Sequence, residues 1–207
     1  GDRHVDGQVS RAAMRPMARK AVSEKEALLL FAFLIAIAFS LVMMLNWNTI
    51  FLSGAALVLA SAYPFMKRFT YLPQFVLGMA FSWSIPMAFM AVQNTLPPYL
   101  WILYAANLLW TVAYDTLYAM VDRDDDLVVG IKSTAILFGR YDLLIIGLLQ
   151  CAFIGAMAWV GVIVELGIFY YLGLALASGM LIKQHFTISS RDKDACFKAF
   201  LNNHPVG

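Results

Sequence analysis

Six apolar stretches, at approximately residues 27–45, 49–66, 72–93, 97–121, 142–164 and 167–183, each come close to the ~20 residues that cross a bilayer's hydrocarbon core. Lipid offers no hydrogen bonds to a backbone, so segments of this length satisfy their own N–H and C=O groups as helices. The 207-residue chain is 61% hydrophobic and 14% charged, with a mean hydropathy of +0.72. An average soluble domain is about 25% charged. The expected fold class is therefore all-α: a polytopic transmembrane helical bundle.

The distribution of charge orients the spans. All 15 Lys and Arg residues fall in the segments 1–26, 67–71, 122–141 and 183–207. The alternate loops, near Asn46–Asn48, Asn94–Pro97 and Glu165–Gly167, hold none. The positive-inside rule places the first set on the cytoplasmic or matrix side. The expected organisation is one membrane domain: an inner loop at 1–26, six spans within 27–183, an inner tail at 184–207, and a cavity open to the inner side. Membrane lipid is an expected partner and nucleic acid is not. Cys151 lies mid-span and Cys196 in the inner tail, so no disulfide is expected.

The fourth span ends in a run of acids. Asp115, Asp122, Asp124, Asp125 and Asp126 stand where an apolar helix meets water. Carboxylates are costly there. At 100° per residue, Asp115, Asp122 and Asp126 lie within a wedge of roughly 40°, while Asp124 points the opposite way. This is the C-terminal end of its helix, where the macrodipole disfavours negative charge, and Asp122 and Asp126 repel each other at i, i+4. A bound cation offsets both costs. Oxygen donors on one stripe, with shell positions left for water or phosphate, suit Mg²⁺.

Asp2 and Asp6 form a second i, i+4 carboxylate pair on the same expected side. Two facing carboxylate sets can clamp a diphosphate through bridging Mg²⁺. Lys67-Arg68, at the inner end of the second span, and Lys132, after Gly130, are candidate diphosphate ligands. Positive-inside anchoring is the ordinary alternative for the first pair. Ser23 and Glu26 have the spacing of a capping box. Pro73 and Pro86 suggest caps or kinks. Residues 191–203 read as a short amphipathic helix at the inner surface. His4, His185 and His204 read as isolated surface residues. A transporter is the rival class, although its carboxylates would sit nearer the midplane.

These residues together resemble the UbiA-type intramembrane prenyltransferases. The family's second motif, Asp-x-x-Tyr-Ala-x-x-Asp-x-x-x-Asp, is matched by Asp115, Tyr118, Ala119, Asp122 and Asp126. Val121-Asp122-Arg123-Asp124-Asp125-Asp126 with Gly130-Ile131-Lys132-Ser133-Thr134, Tyr63-Pro64-Phe65-Met66-Lys67-Arg68, and Trp83-Ser84-Ile85-Pro86 are similar to its 4-hydroxybenzoate branch. Asp2 and Asp6 match the last two acids of the first motif, with Arg3 between them. That motif's Asn-Asp start would precede residue 1. The family's nine-helix bundle implies further helices upstream and one after Gly207. The resemblance implies Mg²⁺-dependent transfer of a polyprenyl group from polyprenyl diphosphate to 4-hydroxybenzoate, ortho to its hydroxyl, for ubiquinone synthesis. The alternative acceptor is another aromatic or quinone precursor. Asp115, Asp122 and Asp126 would be catalytic, and with Asp2 and Asp6 would hold metal. Arg3, Lys67, Arg68 and Lys132 would bind diphosphate, with Tyr63 and Tyr118 nearby. The implied location is a bacterial inner membrane, or alternatively the mitochondrial one.

Overall fold

The computed structural model describes residues 22–206, and among these every regular element is helical. Helix α1 spans Glu24–Val42, α2 Trp47–Phe69, α3 Pro73–Ser82, α4 Ser84–Gln93 and α5 Leu100–Val129. A short α6, Thr134–Phe138, leads through a 3-10 turn to α7, Asp142–Ile163, then α8, Ile168–Thr187. A second 3-10 turn precedes α9, Lys193–Leu201. The all-α class expected from the apolar stretches is observed. Asp2, Arg3, Asp6 and His4 lie outside the described residues.

Four segments are long and apolar enough to cross a membrane by length and composition: Glu24–Val42, Trp47–Phe69, Pro73–Gln93 and Thr134–Ile163. Helices α5 and α8 occupy the other two apolar stretches and carry more polar residues. The four apolar segments make this an integral membrane protein.

Local chemistry sets the helix ends. Ser23 and Glu26 form the capping box, each side chain reaching the other's backbone N–H. Pro73 sits at the first turn of α3, where a missing N–H costs nothing. The third span breaks at Trp83, three residues before Pro86, because proline cannot donate within a helix interior. Helix α5 ends at Gly130 with φ 76°, a left-handed conformation that favours glycine.

Helix α5 is the spine and packs against α3, α7 and α9. Ala113, Leu117, Ala119, Met120 and Val121 from it form the main buried cluster with Ala135, Ile146, Ile188, Cys196 and Ala199. At one end of the bundle Asn46 donates to the Met90 carbonyl at 2.8 Å, and Asn48 donates to Asn94 at 2.9 Å. The other end gathers the charged segments. Several buried polar groups within the bundle pair with one another, as a medium without water favours. Thr116 donates to Val112 at 2.6 Å and lies 2.8 Å from the Thr134 hydroxyl, and Gln150 donates to Gln184 at 2.7 Å.

Two expectations change. His185 is half-buried rather than on the surface: its ring lies against Gly147, and its buried Nδ1 has no hydrogen-bond partner among the described residues. The tail does form an amphipathic helix, but Cys196 and Ala199 are buried and that face packs on α5 instead of resting on lipid.

Candidate active site

A cavity of about 160 Å³ opens at the charged end of the bundle. Helix α5 gives it Asp115, Tyr118, Ala119, Asp122 and Asp126. The end of α2 gives Tyr63 and Lys67, and α3 gives Gln74. Ser133 and Phe200 complete the lining. Three carboxylates thus share one cavity because residues seven and four apart return to the same helix face. Asp124, on the opposite face, is 71% exposed and pairs with Lys193 at 2.8 Å. That ammonium holds Asp124 below the usual carboxylate range. Asp126 is 7% exposed, and burial pushes its carboxyl up to about 6, with the Lys67 charge pulling it down and Asp122 and Asp125 raising it.

The basic candidates separate. Lys67 lines the cavity with the acids, and Arg68 does not. The Lys132 ammonium also points elsewhere, donating to the Phe69 carbonyl at 3.3 Å and lying 5.3 Å above the Tyr71 ring. The backbone of Lys132 does contribute. Its N–H donates to the Lys67 carbonyl at 3.0 Å, while Thr134 N–H donates to Gln74 Oε1 at 3.1 Å. These two bonds bind the segment after the acidic helix to the α2–α3 connection, and so bring Ser133 and Lys67 to one opening.

Sequence reasoning missed Gln74, Ser133 and Phe200. It also missed a charge cluster behind the acidic helix. Asp142, 0% exposed, accepts from Arg123 on α5 and from Arg191 at 2.8 Å. The tail contributes an aromatic wall: Phe200 lies 5.2 Å from the Tyr118 ring and 6.0 Å from the Tyr114 ring. The Phe197 and Phe200 spacing signals a helix face, but nothing local says which surface that face covers.

Among the described residues, no group of three Asp, Glu, His or Cys side chains is arranged to hold one ion. The cavity is not a closed metal cage. Its donors are hard carboxylate oxygens with open sides, which matches a cation that takes one or two carboxylates and completes its shell with water and phosphate. A divalent cation of that kind fits. A soft metal, which needs thiolate or imidazole, does not.

The model of the "UbiA prenyltransferase family" matches residues 1–204. The 4-hydroxybenzoate octaprenyltransferase of Serratia proteamaculans is 60% identical over 206 residues, covering 100% of this chain and 71% of the relative. The enzyme of the same name from Chromohalobacter salexigens is 59% identical, covering 100% and 69%. Among solved structures, an apo UbiA homolog from Aeropyrum pernix superposes with a TM-score of 0.85 at 26% identity, over 100% of this chain and 78% of that one. The acidic cavity thus sits in a chain that, along nearly its whole length, belongs to the UbiA prenyltransferase family.

Proposed function

We propose that this protein transfers a polyprenyl group from polyprenyl diphosphate to the ring of 4-hydroxybenzoate, ortho to the hydroxyl, in ubiquinone synthesis at the cytoplasmic face of a cell inner membrane. The observation that carries this is the shared cavity. Asp115, Asp122 and Asp126 meet Lys67 and two tyrosines at the end of an apolar bundle. The relatives near 60% identity bear the name of that reaction.

The charged and aromatic lining residues have roles the reaction needs. Asp115, Asp122 and Asp126 would hold Mg²⁺, joined by Asp2 and Asp6. Bound there, Mg²⁺ neutralises the diphosphate and improves it as a leaving group. Lys67 would add a fixed positive charge beside the same oxygens, and Arg3, Arg68 and Lys132 would be further diphosphate-binding residues. Tyr63, Tyr118 and Phe200 present aromatic edges and faces where the allylic carbon gains positive character. Burial of the cavity floor keeps water from capturing that carbon before the phenol ring does. The prenyl chain stays in lipid, which explains an enzyme built of apolar helices.

The test is transfer in membranes carrying the full-length protein, with radiolabelled prenyl diphosphate and a panel of aromatic acids. The expected result is a prenylated 4-hydroxybenzoate that forms with Mg²⁺ and not with a chelator. Product on a different acid alone overturns the acceptor, and chelator-insensitive product overturns the metal.

A further inference from the structure

One buried carboxylate ties the start of α9 to the rest of the bundle. Asp142 opens α7 and is 0% exposed. Its Oδ1 takes Arg191 Nε at 3.0 Å and Nη2 at 2.8 Å, and its Oδ2 takes Arg191 Nε at 3.2 Å and Arg123. Arg191 also donates to the Arg140 carbonyl at 3.0 Å. The planar guanidinium fork fixes direction as well as distance. The backbone at Arg191 has φ 54°, a left-handed conformation that a residue with a side chain keeps only where its contacts hold it there. The next residue, Asp192, caps α9 by accepting from Ala195 N–H at 2.9 Å. So the clamp on Asp142 sets where α9 begins and where it points.

At the far end of α9 is Phe200. It is the one residue of that helix in the cavity lining, and it faces Tyr118 across 5.2 Å. The cavity is therefore two-sided. Carboxylates and Lys67 suit a metal-bound diphosphate, whereas Tyr118 and Phe200, packed against each other, form an aromatic wall whose cavity side a further ring can pack on.

We propose that Asp142 and Arg191 are positioning residues: their clamp docks α9 on α5 so that Phe200 closes the cavity and forms one face of the subsite for the aromatic acceptor. This rests on the function proposed above. A buried ion cluster is a poor source of net stability and a good source of fixed geometry, and geometry is what a stacking wall needs.

Two arms test it in the full-length protein, in a Cys151→Ser background. Cys196, on α9, is 0% exposed and reports docking. In the first arm, Arg191→Ala raises the rate of maleimide labelling at Cys196 by ~10-fold or more, as local opening predicts, with the helical circular dichroism at the labelling temperature unchanged even though the loss of Asp142's partner lowers the melting temperature. If Arg191→Ala does not fold, Arg191→Lys takes its place, since it keeps the charge and loses the fork. In the second arm, Arg191→Ala and Phe200→Ala each raise KM for 4-hydroxybenzoate by ~10-fold and KM for prenyl diphosphate by less than ~3-fold. The double variant is no worse than either single one, because both remove the same wall. Protected Cys196 in the Arg191 variant overturns the clamp. Losses that multiply to ~100-fold overturn the link from clamp to Phe200. A parent protein without transfer activity overturns the acceptor assignment, and the labelling arm still decides the docking.

Discussion

Replacing Gln74 with methionine isolates one hydrogen bond at the floor of the cavity. Gln74 is 3% exposed and Thr134 is 0% exposed, and Gln74 Oε1 accepts the Thr134 N–H at 3.1 Å. Methionine matches the length of glutamine but is only a weak acceptor. The Thr134 N–H would be left buried and unpaired, which costs about 1–3 kcal/mol. Two neighbouring ties survive, Lys132 N–H to the Lys67 carbonyl at 3.0 Å and the Thr116–Thr134 hydroxyl contact at 2.8 Å. The loss is therefore local, and Ser133 is the cavity residue nearest to it. At roughly 2–4 °C per kcal/mol for a chain of this size, thermal unfolding in detergent should fall by roughly 2–12 °C. Gln74→Glu keeps an acceptor oxygen and should recover most of that shift. It also adds a charge beside three carboxylates, so its prenyl transfer should still fall. A Gln74→Met protein that melts within a degree of the parent would show that the bond carries no weight. A Gln74→Glu protein that melts as low as Gln74→Met would show that the accepting oxygen is not the cause.

Asp115→Asn and Asp122→Asn should each cut prenyl transfer by ~10²-fold or more, while Asp124→Asn, on the solvent face, stays near the parent rate; equal losses at all three positions would refute the stripe. Lys67→Met should raise KM for prenyl diphosphate well above the effect of Arg68→Ala, because Lys67 lines the cavity. If Arg68→Ala instead raises only KM for 4-hydroxybenzoate, Arg68 binds the acceptor carboxylate. Gly161→Ala would put a Cβ 2.6 Å from Tyr170 Cε1, on a ring held by its hydroxyl to the Met157 carbonyl at 2.8 Å, and should lower stability by about 1–3 kcal/mol in a melting assay.

Elements with a local cause could be read from the chain. The capping box at Ser23, the glycine stop at Gly130 and the break before Pro86 each follow from one or two residues. The common face of Asp115, Asp122 and Asp126 follows from helical periodicity alone. What escaped depended on distant segments meeting. Lys132 looked like a cavity cation because it follows the acidic helix, yet its ammonium is drawn to the Phe69 carbonyl and the Tyr71 ring. Asp142 drew no reading from the sequence, because nothing near it announces Arg191, 49 residues away, as its partner. The apolar face of α9 is the same whether it covers lipid or α5; only the position of α5 decides which.

The cavity draws on residues as far apart as Tyr63 and Phe200, and that separation has a consequence for synthesis. The acids of α5 leave the ribosome well before α9 does. At the usual ~5–20 residues per second, roughly 4–15 seconds pass between Asp126 and Phe200. In that interval α6, α7 and α8 are made, and only then can α9 return to α5. Until it does, three carboxylates stand uncovered at the water boundary with no aromatic wall beside them. The nascent enzyme would thus be able to gather cations at the site before it could enclose a substrate.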